Sequence, residues 1–176
     1  MKDSIVISLG GSLIVPEQID VEFLGNFKAL ILSQVKLGKK FVIITGGGKI
    51  NRRYNDAAKE LTNPTDEDLD WIGIATLKLN AELLRVVFAE YANSKVVDNL
   101  SEEFQFEKSI VIGSAYEPGK SSDWDAVNAA QTIGAKKIIN LSNTDYVYDS
   151  DPKLNSNAKK IEKISWAEYR KLIPAE

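Results

Sequence analysis

Residues 41 to 48 read Phe41-Val42-Ile43-Ile44-Thr45-Gly46-Gly47-Gly48, and this run constrains the fold most. Four apolar, largely β-branched residues predict a buried strand. Three glycines follow at once, and Lys49, Arg52 and Arg53 come next on a helical pattern. Glycine lets the backbone approach a ligand closely and point several N–H groups at one spot. A helix N-terminus adds partial positive charge there. The run therefore predicts an anion site, for phosphate or carboxylate, at the carboxyl end of a parallel strand.

Three more runs repeat the pattern. Ser4-Ile5-Val6-Ile7-Ser8-Leu9 leads into Gly10-Gly11-Ser12, Ser109-Ile110-Val111-Ile112 into Gly113-Ser114, and Lys137-Ile138-Ile139-Asn140-Leu141 into Ser142-Asn143-Thr144-Asp145. Each short apolar strand ends in small or polar residues. Open parallel sheets bind ligands outside the carboxyl ends of their strands. The repetition carries more weight than any single glycine cluster.

Helical patterns lie between the strands. Val21 to Leu37 has Phe23, Leu24, Phe27, Leu30, Ile31 and Val35 at helical spacing, with Gly38 as a stop. Lys49 to Leu61 is polar with a narrow apolar face. Thr65 caps a long helix that opens on Asp66-Glu67-Asp68 and runs to Tyr91. Lys95 to Asp98 is a candidate short strand, and Ser101 to Phe106 a short acidic helix or loop. Asp123 to Ile133 reads as a helix ending at Gly134. Ser165 to Ile173 reads as a last helix, with Glu168 three residues after its cap. Lys153 to Lys163 is a polar surface excursion. This order predicts an α/β fold, a mainly parallel central sheet with helices on both faces, as one domain over residues 1–176.

Composition narrows the chemistry. The 176 residues are 44% hydrophobic, enough for one good core. They contain no cysteine and no histidine, which excludes disulfides, thiolate zinc sites, imidazole metal ligands and a Ser-His-Asp triad. A formal net charge of -3 argues against nucleic-acid binding by bulk charge. No apolar stretch is long enough for a membrane span, and no signal-peptide pattern opens the chain. The expectation is a soluble cytoplasmic protein whose partners are small molecules, with neither nucleic acid nor membrane among them.

Six motifs occur in one order: Gly10-Gly11-Ser12, Thr45-Gly46-Gly47-Gly48-Lys49 with Arg52, Asp70-Trp71-Ile72-Gly73, Asn80-Ala81, Pro118-Gly119, and Asn143 through Pro152. That order resembles the amino-acid kinase superfamily, and within it the UMP kinases of the archaeal type. The resemblance runs from Ile5 to about Ile173. It implies a three-layer sandwich of the carbamate kinase kind and transfer of the γ-phosphoryl of ATP to UMP, with Mg²⁺. Such chemistry needs two anions held in line and charge neutralised on the transferred group, so the lack of histidine is no obstacle.

The resemblance also implies roles. Gly46, Gly47 and Gly48 would cradle the UMP phosphate, and Arg52 would clamp it with its planar fork. Asp70 would accept hydrogen bonds from the ribose, and Ser121 and Ser122 would contact the acceptor. Gly10, Gly11 and Ser12 would bring backbone donors to the ATP phosphates. Asn143, Asp145, Tyr148 and Asp151 would line the ATP pocket. Asp123, or alternatively Asp125, would be the aspartate that orients Mg²⁺ or a lysine, because the segment is about two residues longer than the common pattern. The stripe of Ile72, Ala75, Leu79 and Leu83 suits a homo-oligomer, a dimer or hexamer, or packing on the sheet.

Plain structural readings stand beside these: tight turns for the glycines, a solvated helix face for the basic residues, helix-terminal acids for Asp70 and Asp123. The chain also departs from the pattern. Many relatives carry a lysine in the first strand just ahead of the glycines, where this chain has Ile7 and Ser8. Lys49 or Lys120 is then the candidate catalytic cation. Tyr146 stands where a glycine is usual. Relatives continue beyond the equivalent of Glu176, so the resemblance predicts a C-terminally incomplete domain, either a truncated product or a naturally short relative, with reduced or absent turnover. The alternatives are a kinase for another small phosphate or carboxylate acceptor, and a nucleotide-binding module without catalysis.

Overall fold

The structure, a computed structural model, describes residues 4–144, 146–150, 152 and 154–172. It divides into two compact units, residues 1–142 and 143–176.

In the first unit, β1 (Ser4–Leu9), β2 (Lys40–Thr45), β3 (Ile110–Gly113) and β4 (Lys137–Leu141) form a sheet of order β3-β2-β1-β4. All three ladders are parallel, with Ser8 opposite Ile44 on one side and Asn140 on the other. The helices are α1 (Gly11–Ile14), α2 (Val21–Val35), α3 (Gly48–Leu61), α4 (Asp66–Val87) and α5 (Ser122–Ile133).

Side chains alternate across a strand, so β1, β2 and β3 each feed two cores. Ile7, Leu9, Phe41, Ile43, Ile110 and Ile112 pack on one face with Leu24, Phe27 and Ile31 of α2 and Ala81 and Leu84 of α4. Val6, Val42, Ile44 and Val111 pack on the other with Ala126, Ala129, Ala130 and Ile133 of α5. This is the expected three-layer α/β arrangement. By the same alternation Ser8 and Asn140 lie on the α5 face of the sheet.

Local signals account for the helix ends. The Thr65 hydroxyl accepts from Asp68 N–H while the Asp68 carboxylate accepts from Thr65 N–H, a reciprocal cap for α4. Gly134 closes α5 in the left-handed region at φ 66°.

Several expectations need correction. Residues 95–98 form no strand; Val97 makes only an isolated bridge to Gly113 on the outer edge of β3, because the chain bends at residues 94–95 and again at 98. The glycines after β1 do make a tight strand-to-helix turn, into the short helix α1. Helix α4 ends at Val87, four residues early. Residues 101–106 are loop, one of the two readings the sequence left open.

In the second unit, β5 (Val147–Tyr148) pairs antiparallel with β6 (Lys160–Ile161), where sequence suggested a plain excursion. Lys160 Nζ lies over the Tyr146 ring, 3.4 Å from its centroid, and Tyr146 meets Tyr148 edge-on. α6 (Trp166–Tyr169) is shorter than expected, and its cap, Ser165 with Glu168, is as the sequence indicates. No described helix is long and apolar enough to cross a membrane.

Candidate functional site

The two glycine turns that follow β1 and β2 interlock. A Cβ on Gly11 would fall onto Gly48 N and the Gly46 carbonyl, and one on Gly48 would fall onto the Gly11 carbonyl. Gly48 also sits at φ 68°, where other residues are strained. Gly46 N–H donates to Leu9 O at 2.9 Å, and Gly10 N–H donates to Leu141 O at 2.8 Å. The backbone of both turns is thus stitched across β2, β1 and β4 at their carboxyl ends. The first N–H groups of the 14-residue helix α3 open there without intrahelical partners.

Buried side chains hold this backbone from behind. Asn80 of α4 is 2% exposed, and its Nδ2 donates to Gly46 O at 2.8 Å and to Gly47 O at 3.4 Å. Thr45 Oγ1 donates to Leu77 O at 2.9 Å. A Cβ on Gly47 would come within 2.9 Å of Thr76 Oγ1. With the Gly46 and Gly47 carbonyls turned toward α4 and the Gly46 N–H bound to Leu9, Gly47 and Gly48 are the glycines left to present N–H groups outward. The sequence reading noted Asn80 as part of the Asn80-Ala81 motif and missed this clamp; a polar residue at a core position of an amphipathic helix was the available signal.

The basic candidates divide. Arg52 is exposed on α3 and makes no ion pair among the described residues. Lys49 instead pairs with Glu17, which also receives Arg53 at 3.2 Å. The Lys49 hydrogen bond holds the Glu17 carboxyl below its ordinary range. Lys120 lies 5.0 Å from the Trp124 ring centroid, a cation–π contact. Each lysine is occupied at the protein surface.

The acidic candidates are separated by helical geometry. Asp123 and Asp125 are two residues apart on α5 and so face different ways. Asp123 turns to the strand ends: Ser8 Oγ donates to its Oδ1 at 2.6 Å, and Asn140 Nδ2 lies 3.2 Å from each of its oxygens. Asp125 is buried, 3% exposed, with no partner for Oδ2. Burial, then the nearby Glu117 charge, pushes its carboxyl up to about 6.

Asp70 accepts from Gly119 N–H at 2.7 Å, which ties α4 to the loop before α5. Ser121 caps α5 by accepting from Trp124 N–H, and Ser122 is its first residue. Asn143 and Tyr148 belong to the second unit, while Asp145 and Asp151 lie outside the described residues. On α4, Ala75 and Leu79 are exposed beside Trp71 and Val86, whereas Ile72 and Leu83 are half-buried. No group of three or more acidic residues forms a ready metal cage among the described residues.

Comparison with known proteins agrees with this geometry. Residues 3–176 match the amino acid kinase family. The chain is 38% identical over 167 residues to the uridylate kinase of Thermococcus kodakarensis, covering 92% of this chain and 72% of that protein. It is 35% identical over 172 residues to the uridylate kinase of Pyrococcus abyssi, covering 96% and 75%. The crystal structure of the uridylate kinase from Archaeoglobus fulgidus superposes with a TM-score of 0.81 at 33% identity, over 98% of this chain and 77% of that one. An aspartate kinase from Synechocystis shares the fold, at a TM-score of 0.67 and 18% identity over 89% of this chain and 31% of that one. From a sheet with interlocked glycine turns to relatives of this identity and coverage, the observations agree: the chain belongs to the amino acid kinase family, among its uridylate kinases.

Proposed function

We propose that this chain transfers the γ-phosphoryl group of ATP to the phosphate of UMP, giving UDP, as a cytoplasmic homo-oligomeric enzyme. The observation that carries the reading is the pair of interlocked glycine turns at the carboxyl ends of adjacent parallel strands. Two turns side by side suit two phosphate-bearing substrates laid end to end. Gly46, Gly47 and Gly48 with Arg52 would take the acceptor phosphate. Gly10, Gly11 and Ser12 would take the ATP phosphates. Asp70, Ser121 and Ser122 would meet the UMP nucleoside.

Mg²⁺ fits the chemistry of Asp123. This ion commonly keeps several waters and binds through one or two carboxylates plus substrate phosphates. Asp123 offers such a carboxylate, and its described partners, Ser8 and Asn140, are both neutral. The ion would neutralise charge on the transferred phosphoryl. Lys49 and Lys120 would have to leave Glu17 and Trp124 to share that role.

The test is UDP formation from UMP, ATP and Mg²⁺, alongside calorimetric titration with UMP. Arg52→Ala should weaken UMP binding by about tenfold or more, the loss of one charge-assisted contact. UMP binding without UDP formation would favour a nucleotide-binding module. No UMP binding, but turnover with another phosphate or carboxylate acceptor, would replace the substrate.

A further inference from the structure

We infer that Ser8 and Asn140, neutral donors on the adjacent strands β1 and β4, are positioning residues that aim the Asp123 carboxylate at the nucleotide-bound divalent ion. The inference rests on the phosphoryl-transfer reading for the ion's presence. The geometry is this chain's own.

Ser8 is 3% exposed in a strand whose neighbours on that face are Val6, Val42 and Ile44. A buried hydroxyl in such a place is costly unless it is hydrogen-bonded. Its partner is Asp123 Oδ1, 115 residues away, at 2.6 Å. Asn140 is the register partner of Ser8 on β4. Its Nδ2 reaches the same carboxylate from the neighbouring strand. Two adjacent strands thus converge on one carboxylate from below, while Asp123 itself stays exposed above.

A helix-terminal acid serving only the α5 dipole needs neither donor. Ser121 already caps the helix through Trp124 N–H. The donors select one orientation of the carboxylate instead. They lie just before Gly10, whose N–H is bound to Leu141, so the carboxylate is aimed at the region outside the β1 and β4 ends. No described cation pairs with Asp123, and its negative charge is left for a cation brought by the nucleotide. Asp125, buried on a different side of α5, has no such access.

The test compares wild type with Ser8→Ala, Asn140→Ala, Ser8→Thr and Asp123→Asn in two measurements. One is Mn²⁺ affinity by electron paramagnetic resonance in the presence of a non-hydrolysable ATP analogue. The other is kcat and KM for UDP formation. Ser8→Ala and Asn140→Ala should each lower Mn²⁺ affinity or kcat about 10- to 100-fold, the usual cost of removing a support behind a metal ligand, with KM for UMP unchanged. Ser8→Thr keeps the hydroxyl and should restore both. Asn140 is exposed, so its variant folds even if Ser8→Ala does not. Wild-type Mn²⁺ affinity and kcat in both alanine variants would overturn the inference. So would a wild type that binds UMP but no Mn²⁺ with the analogue. Mn²⁺ binding that depends on Ser8 in a protein that makes no UDP would retain the inference and refute the kinase reading alone.

Discussion

Asp70 and Gly119 are 49 residues apart and joined by a 2.7 Å hydrogen bond from the Gly119 N–H to Asp70 Oδ2. Gly119 sits at φ 76°, so the loop before α5 turns sharply where the carboxylate holds it. The residue expected to meet the acceptor's ribose also tethers the loop carrying Ser121 and Ser122. Asp70→Ala should weaken UMP binding about tenfold, since a hydrogen bond to a charged group contributes roughly 1.5–3 kcal/mol and this one is exposed. Amide exchange at residues 116–121 should speed up in the same variant. Unchanged exchange there would show that the tether does not order the loop.

Asn80→Ala should destabilise the fold by about 1–3 kcal/mol, because it leaves the Gly46 and Gly47 carbonyls without their buried donor. For a chain of this size each kcal/mol lowers the melting temperature by about 2–4 °C. UMP binding should weaken as well, as the released carbonyls let the loop turn its N–H groups away. Thermal melting with and without UMP reads both effects. A stability loss with intact UMP affinity would confine Asn80 to a structural role.

Gly11→Ala should abolish binding of both nucleotides, because the methyl would occupy backbone of the Gly46–Gly48 turn. Gly25→Ala is the contrast. Gly25 lies within α2 with open space where a Cβ would go. That change should stabilise by about 0.5–1 kcal/mol, the helix-interior penalty of glycine relative to alanine. Circular dichroism melts and UMP titrations of the two variants check the pair.

Asp125 makes stability depend on pH. Its carboxyl is raised from an ordinary 3.8 to about 6, chiefly by burial and secondly by Glu117. The folded chain therefore keeps this proton to higher pH than the unfolded chain does. Stability from the group is present below pH ~4, is lost as pH rises toward 6, and stays lost above it, by about 3 kcal/mol at most. Asp125→Asn should accordingly gain on wild type as pH rises from 4.5 to 8 in urea unfolding. A difference that is flat across that range would show that Asp125 ionises without cost.

Much of this protein is legible locally. The runs ending at Leu9, Thr45 and Ile112 alternate residues between two cores, and their β-branched content matches strands buried on both faces, whereas the run ending at Leu141 forms a largely exposed edge strand. Gly38 and Gly134 stop their helices, and Thr65 and Ser165 start theirs. Residues 95–98 misled because a short β-branched pair reads alike whether the chain runs straight along an open strand edge or bends away on either side, as it does here.

The sequence by itself determined the four sheet strands, the main helices between them and the two glycine turns, because these follow from periodicity and backbone freedom within a few residues. Only the tertiary structure decided which side chains meet. Nothing local says that β4 docks beside β1, and that placement brings Asn140 next to Ser8. Nor does the Asp123-Trp124-Asp125 run reveal which carboxylate faces the strand ends, since that depends on how α5 is rotated on the sheet. Lys49 looked free for catalysis until the chain folded Glu17 onto it. Charge pairing and aim are set by contacts across tens of residues, and those exist only once the layers have packed.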